Sequence, residues 1–484
     1  MELKEYQQLG LKAGLEIHQQ LDTGTKLFCN CPSFLRNDPP EITIKRKLHA
    51  VAGETGEVDS AVEYEAARNR EFYYQGYHDT TCLIELDEEP PKLINETALN
   101  EALKIALLLN CEIYQVTQIM RKTVIDGSNT SGFQRTVLIA RNGLLKTSKG
   151  DVGIETLALE EDAARIIEKD DKKSIYRLDR LGIPLVEITT TPTLQDPEHI
   201  KETALKLGEI LRACKVKRGI GTIRQDINVS IKSHEKVEIK GFQDPALMVK
   251  TIGLEVQRQV EDLKNNKKTG EVRNALPDGT TEFLRPLPGR ARMYPETDLP
   301  LLRISREKIN AIKKQLPKLK HEIRSELKKK GLSDELIPRI LEGNLDEFET
   351  LLQVYEKNPN LIAKMMTLWR SELATKLRKP LAEIKEILSE RILEQILEAL
   401  KENRITESDI RPIMEKITTG TPLEDALRTE RISSDELEEH IRKIIKEKPG
   451  LRPNAYMGLI MQQLKDKLNP QQAMQIIQKI LAAE

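Results

Sequence analysis

What most restricts the fold of this chain is a change in its hydrophobic period near residue 300. Before that point the sequence is made of short β-branched runs, glycines and turn signals. After "MYPETDLPLL" the apolar residues recur at helical spacing as far as Glu484. The two periods cannot share one element type. The sequence therefore predicts an α+β domain with a largely antiparallel sheet, followed by all-α structure. With 484 residues, several domains are expected. The expected cuts are 1–300, 301–404 and 405–484. The last falls at Asn403–Thr406, where shorter, Thr/Ser-capped helices begin.

Local readings follow from the same periods. "VTQIMRKTVIDGSNTSGFQRTVLIARNG" reads as strand, polar loop, strand and turn. Helices are expected at about Glu96–Asn110 and His199–Cys214, and Ser305–Lys330 reads as one amphipathic helix.

Strand alternation singles out polar side chains. In "AGLEIHQQL", Leu15, Ile17 and Leu21 point one way and Glu16, His18 and Gln20 the other. In "TIRQDINVSI", Arg224, Asp226, Asn228 and Ser230 share a face behind which Ile223, Ile227, Val229 and Ile231 are apolar. A solvated outer sheet face gives the same pattern. The pattern recurs, however. Glu238 and Lys240 share a face in "VEIKGF". Glu187 interrupts the otherwise apolar "GIPLVEITTTP", where an unpaired carboxylate would be costly. "LALEEDAARII" places Glu160, Glu161 and Asp162 at an expected helix start. Several carboxylates with one histidine suit a hard cation such as Mg²⁺. Arg224 and Lys240 could then neutralise phosphates.

The cysteines form no such set. Cys29 and Cys31 make a C-x-C, and Cys82 lies in "HDTTCLIELDEEPP" with His78 as a conceivable fourth ligand. Structural zinc usually takes four ligands at C-x₂₋₄-C spacing. Buried free thiols are therefore the expectation, and zinc is not. Cys111 and Cys214 read as core. An odd total of five cysteines, no apolar run near the roughly 18 residues of a membrane span, and a "MELK" opening that starts no signal peptide all point to the cytoplasm. No familiar phosphate loop is present.

Lys plus Arg number 76 against 77 Asp plus Glu, so any polyanion must be held by local patches. Arg442, Lys443, Lys446, Lys448, Arg452, Lys465 and Lys467 form one, and Lys318, Lys320, Arg324 and Lys328–Lys330 another. Each is either a solvated helix face or a phosphate-backbone contact.

In combination the motifs resemble a known family. "GLKAGLEIHQQLDTGTKLFCNCP", "DTTCLIELDEEPP", "VIDGSNTSGFQRT", "LALEEDAARII", "DRLGIPLVEI", "GTIRQDINVSI" with "VEIKGFQD", and "RPLPGRARMYPETDLP" occur in the order found in the E subunits of archaeal glutamyl-tRNA(Gln) amidotransferase, which are homologous to bacterial B subunits. The resemblance implies a cradle-shaped kinase domain, a helical domain and a YqeY-like, tRNA-binding tail. It implies a carbon–nitrogen ligase that uses ATP and Mg²⁺ to phosphorylate the glutamate of mischarged Glu-tRNA(Gln). Ammonia from a partner, the asparaginase-like D subunit, then completes the amide. The family's metal positions correspond to Glu16, His18, Glu160, Glu187 and Asp226. Arg224 and Lys240 remain phosphate candidates, and Arg442, Lys443, Lys446, Lys448 and Arg452 are the tRNA candidates.

The chain departs from the family pattern at one place. The family's inserted domain, resembling one in bacterial aspartyl-tRNA synthetase, would fall between "EVQRQVEDL" and "EVRNALPDG". Only Lys264–Gly270 fills that gap. Two rival expectations are a tRNA-binding assembly subunit with a vestigial kinase site, and a bacterial-type B subunit with a different amidase.

Overall fold

The computed structural model describes residues 3–47, 70–124, 126–170, 172–242, 244–287, 293–428, 434–464 and 470–483. The chain forms two compact units, Met1–Leu319 and Lys320–Glu484.

In the first unit the strands are β1 (Lys12–Gln20), β2 (Ile42–Arg46), β3 (Glu71–Gly76), β4 (Glu112–Ile113), β5 (Val116–Thr117), β6 (Ile119–Thr123), β7 (Phe133–Thr147), β8 (Gly150–Glu161) and β9 (Arg165–Lys169). They continue with β10 (Lys173–Arg177), β11 (Pro184–Thr190), β12 (Ile223–Ser230), β13 (Val237–Phe242), β14 (Glu271–Ala275), β15 (Thr281–Pro286), β16 (Met293–Pro295) and β17 (Leu302–Arg303). The helices are α1 (Leu3–Gln8), α2 (Glu96–Leu108), α3 (Pro197–Ala213), α4 (Pro245–Lys264) and α5 (Arg306–Lys313).

The main sheet is ordered β15-β14-β13-β12-β1-β11-β8-β7-β6-β16, with β4 also on β7. Its neighbours are antiparallel except β13 and β14. That parallel pair needs a crossover, which α4 provides. A smaller sheet is ordered β2-β3-β10-β9, and β5 pairs with β17. Largely antiparallel α+β structure followed by helices is the expected class.

One face of the main sheet is dry. Ala13, Leu15 and Ile17 of β1, Ile227 and Val229 of β12, Val186 and Ile188 of β11, and Leu157 and Leu159 of β8 share a core with α2, α3 and α4. The helices start where the sequence caps them: Asn95, Asp196 and Asp244 accept from early backbone N–H groups, and proline follows the last two. Each buried Leu or Ile is worth about 1.5–3 kcal/mol. A one-residue slip of β1 would exchange Leu15 and Ile17 for Glu16 and His18, so the register is firmly set. The alternate residues therefore face away from the helices.

Three local expectations are corrected. Glu160 and Glu161 do not open a helix but end β8, a strand hydrogen-bonded on both sides to β7 and β11. The ladder and the buried Leu157 and Leu159 outweigh the helix-start look of the acidic run. Ser305–Lys330 is two helices, Arg306–Lys313 and Lys320–Lys329, because Pro317 cannot continue the first. The "RNG" turn is absent: β7 runs through it with Asn142 at φ 52° and turns only after Thr147.

In the second unit an apolar cluster extends from Leu327 to Ala426. It contains Leu393, Ile396 and Leu397 together with Ile405, Ile410 and Ile413, and so spans Asn403–Thr406. A separate cluster joins the helices Ser434–Glu447, Pro453–Leu464 and Pro470–Ala483 through Leu437, Ile441, Tyr456, Ile460 and Ile477.

Candidate active site

Strand register lays a row of charged side chains across the open face. On β1, Glu16 stands opposite Asp226 and His18 opposite Arg224 of β12, while His18 also stands opposite Glu187 of β11. Glu160 of β8 is paired with Thr136 of β7. The His18 Nε2 lies 3.4 Å from Glu16 Oε1, 3.4 Å from Glu187 Oε2 and 3.6 Å from Glu160 Oε1. Glu16, His18 and Asp226 form one set of converging ligand atoms, and His18, Glu160 and Glu187 a second. The five expected ligands thus come together around one imidazole.

The electrostatics record the crowding. Burial, then the Glu187 charge, pushes the Glu16 carboxyl up to about 7. Burial alone would lower His18, but its hydrogen bond and charge contacts with Glu187, Glu160 and Glu16 carry it up to about 9. Glu160 is raised by burial, and at 1% side-chain exposure it leans on Lys122 and on the Thr136 hydroxyl, which donates at 3.0 Å. Burial would raise the half-buried Glu187, yet Lys122 and His18 hold it well below the usual carboxylate range.

Cations stand at both ends. Lys240 donates to Asp226 Oδ2 at 2.8 Å, and also pairs with Glu238. A bulge in β13 assists: two residues, Lys240 and Gly241, stand where β12 has only Asp226. Gly241 adopts φ 92°, a conformation open to glycine, and its N–H points at Asp226 Oδ1 at 3.4 Å. Arg224 does not join the row directly. It donates to the fully buried Asp162, which also accepts from Gln20 at 2.6 Å and faces Arg180. These contacts hold Asp162 low despite its burial and fix the Arg224 guanidinium beside the row.

At the other end Lys122 lies 3.1 Å from Glu187 Oε2 and 3.5 Å from Glu160 Oε2. Sequence reasoning missed Lys122 and Thr136. Both occupy strands with no clear alternation, and only the pairing of β6, β7 and β8 reveals them.

The cysteines gain a partner that sequence reasoning also missed. Cys29, Cys31, Cys82 and Glu85 bring their ligand atoms within 4.8 Å of one another. Glu85, not His78, completes the set: its Oε2 lies 2.9 Å from Cys82 Sγ and its Oε1 3.1 Å from Cys29 Sγ. The fully buried Lys26 donates to the same carboxylate at 2.8 Å. Hydrogen bonds from Cys29 and Cys31 hold the Cys82 thiol low, while Cys29 and Cys31 are raised, the latter to about 12. No cysteine is in a disulfide. The readable signal was a C-x-x-E in place of C-x-x-C.

Arg442, Lys443, Lys446, Lys448 and Arg452 are all exposed, with Arg442 also holding Glu438. Lys465 and Lys467 lie outside the described residues. In the other basic cluster Lys328 and Lys330 pair with Asp334 and Glu349.

Residues 11–310 match the GatB/GatE catalytic domain. The E subunit of glutamyl-tRNA(Gln) amidotransferase from Methanocaldococcus jannaschii is 36% identical over 98% of this chain and 99% of its own length. The E subunit from Pyrobaculum islandicum is 34% identical over 96% and 98%. The alignment with the former spans 634 positions, 150 more than the 484 residues here, so at least that many residues of the relative have no counterpart in this chain. A match across nearly all of the first unit, together with relatives aligned nearly end to end, makes this chain a member of the GatB/GatE family.

Proposed function

We propose that this chain is the subunit of a glutamyl-tRNA(Gln) amidotransferase that activates the glutamate on mischarged tRNA(Gln) and converts it to glutamine. The observation that carries the proposal is the convergence of four carboxylates and one imidazole on the open face, flanked by fixed cations. Four carboxylates at one point, two buried and two half-buried, call for a cation, and oxygen-rich donors with one nitrogen fit Mg²⁺. Glu16, His18, Glu160, Glu187 and Asp226 would hold it. When bound, it supplies the positive charge that phosphate oxygens need.

The chemistry follows from leaving groups. A γ-carboxylate oxygen of the esterified glutamate attacks the γ-phosphorus of ATP, the bond to the bridging oxygen breaks, and ADP departs. Ammonia then adds to the acyl carbon, phosphate leaves with the C–O electron pair, and nitrogen sheds a proton. Positioning and charge neutralisation are the protein's task. Lys240, and Arg224 aimed by Asp162, are assigned to phosphate oxygens. The ammonia is assigned to the asparaginase-like D subunit. The exposed basic residues from Arg442 to Arg452 are assigned to the tRNA backbone, and residues 405–484 to a YqeY-like tail. Lys264–Gly270 is read as the site where the family's insertion is missing. A cytoplasmic location is in keeping with the described residues, in which no helix is long and apolar enough to cross a membrane.

Cys29, Cys31, Cys82 and Glu85 are proposed to hold zinc as a pin between two loops of the cradle. Three thiols and a carboxylate are a donor set zinc accepts, and Lys26 would offset the excess negative charge.

The proposal is tested by supplying the purified chain with Glu-tRNA(Gln), ATP, Mg²⁺ and ammonium. Gln-tRNA(Gln) should form without an amidase. No product even with the partner amidase added would refute the proposal and favour an assembly role.

A further inference from the structure

The loop between α3 and β12 is braced at its base and open at its tip. The buried Gln19 of β1 donates from Nε2 to Lys217 O at 3.0 Å and to Thr222 O at 3.1 Å. Backbone bonds repeat the brace, from Lys217 N–H to Gln20 O and from Gln20 N–H to Thr222 O. Arg218, Gly219, Ile220 and Gly221 stand beyond it, all exposed. The Thr222 hydroxyl and N–H both donate to Gly219 O, closing a turn with Ile220 and Gly221 at its centre. Gly221 adopts φ 84°, as the second central position of a type II turn requires. Ile220 is 95% exposed, more than any other large apolar side chain among the described residues.

A single exposed isoleucine means little alone. Its surroundings give it a partner. From Arg212 to Ile223 the chain carries Arg212, Lys215, Lys217 and Arg218 and no acid. Arg212, Lys215 and Arg218 are exposed. Cations around an apolar tip fit a single-stranded nucleic acid, whose phosphates take the charges while an unstacked base lies on the apolar surface. Position narrows the choice of strand. Arg224, two residues beyond the loop, stands opposite His18. The chain from Ile220 to Arg224 spans at most about 14 Å, the length of about four stacked nucleotides.

We propose that this loop receives the unpaired 3′ end of the charged tRNA. Ile220 lies against a base and Lys215 and Arg218 against phosphates, so that the esterified glutamate reaches the carboxylate row. The premise is the proposed function, which puts an aminoacyl ester at that row; the loop adds where the nucleotides before the ester lie.

The test titrates the full chain with tRNA(Gln) and with the same RNA trimmed of its unpaired 3′ nucleotides, which the basic residues of the tail still hold. The parent should bind the complete RNA about fivefold or more tighter than the trimmed one, the low end for one base contact. Ile220→Ser and the double variant Lys215→Gln/Arg218→Gln should each lose most of that difference and bind the trimmed RNA as the parent does. In the double variant, log K against log salt should become less steep by up to about two, for the complete RNA only. All three residues are exposed, so the melting temperature should stay at the parental value. Unchanged affinity for the complete RNA, or equal losses on both RNAs, would overturn the assignment. A raised KM for ATP with RNA affinity unchanged would overturn it in favour of a nucleotide subsite. A parent that binds neither RNA would refute the proposed function and the loop's role with it. A parent that transamidates with free ammonium, alongside variants that match it on both RNAs, would overturn the loop's role alone.

Discussion

His18 and Glu187 face each other across the β1–β11 pair, with Nε2 3.4 Å from Oε2. The register that brings them together also places Glu16 against Asp226 on the other side of β1. Replacing Glu187 by Gln keeps the size and removes the charge. ATP-dependent transamidation should fall at least about a hundredfold, on the scale of losing one charge-stabilising group in a buried site. Glu16→Ala and Asp226→Ala should do the same with the fold intact by circular dichroism. Activity within threefold of the parent would remove these residues from the metal shell.

Divalent-ion binding should depend on pH in a defined direction. An ion takes His18 neutral and Glu16 ionised, so both protons must leave. His18 is held near 9 and Glu16 near 7 before the ion arrives. Affinity should therefore be flat above pH 9 and fall about tenfold per unit between 9 and 7. Below 7 it should fall about a hundredfold per unit, one factor of ten for each proton. Calorimetry with Mn²⁺ in buffers of different ionisation enthalpy would count the protons released. Affinity that does not change from pH 7 to 9 would exclude His18 as a ligand.

The tail makes a separable prediction. Neutralising Arg442, Lys443, Lys446 and Lys448 together should weaken tRNA binding and make log K less steep against log salt, by about one for each phosphate left without its cation. Truncation should begin at residue 434, because Ile405, Ile410 and Ile413 belong to the apolar cluster of the preceding helices. That shortened chain should show a raised KM for tRNA with kcat largely kept. An unchanged salt slope would mean that the cluster is only a solvated face.

Metal analysis of the purified chain should find one zinc, and none in Cys82→Ser or Glu85→Ala. Because such a metal contributes directly to folding, chelation should lower the melting temperature of the parent but not of these variants. A parent that holds no zinc after anaerobic reconstitution would leave the four side chains as a hydrogen-bonded cluster around Lys26.

Much of the site was legible because strands alternate. Glu16 and His18, Arg224 and Asp226, and Glu238 and Lys240 each fell on a polar face backed by Ile and Val, and that pattern survives in the burial of β1, β12 and β13. What alternation could not give was distance between strands. Lys122 and Thr136 became site residues only through ladders joining segments far apart in sequence. Glu160 was legible as one of three candidate acids, and the family resemblance picked it out of them, but it was not legible as a strand residue, since its run of acids mimics a helix start. Glu85 was hidden because carboxylates are common and three thiols already seemed a set one short. Pro317 was a visible breaker, but the long amphipathic pattern around it obscured the break.

The most direct test of the central claim is ATP hydrolysis by the purified chain with and without Glu-tRNA(Gln), Mg²⁺ and ammonium. The account predicts ADP formation only when both Mg²⁺ and the charged tRNA are present, with Gln-tRNA(Gln) appearing once ammonium is added. Hydrolysis indifferent to the charged tRNA, or none at all alongside measurable tRNA binding and added amidase, would contradict it.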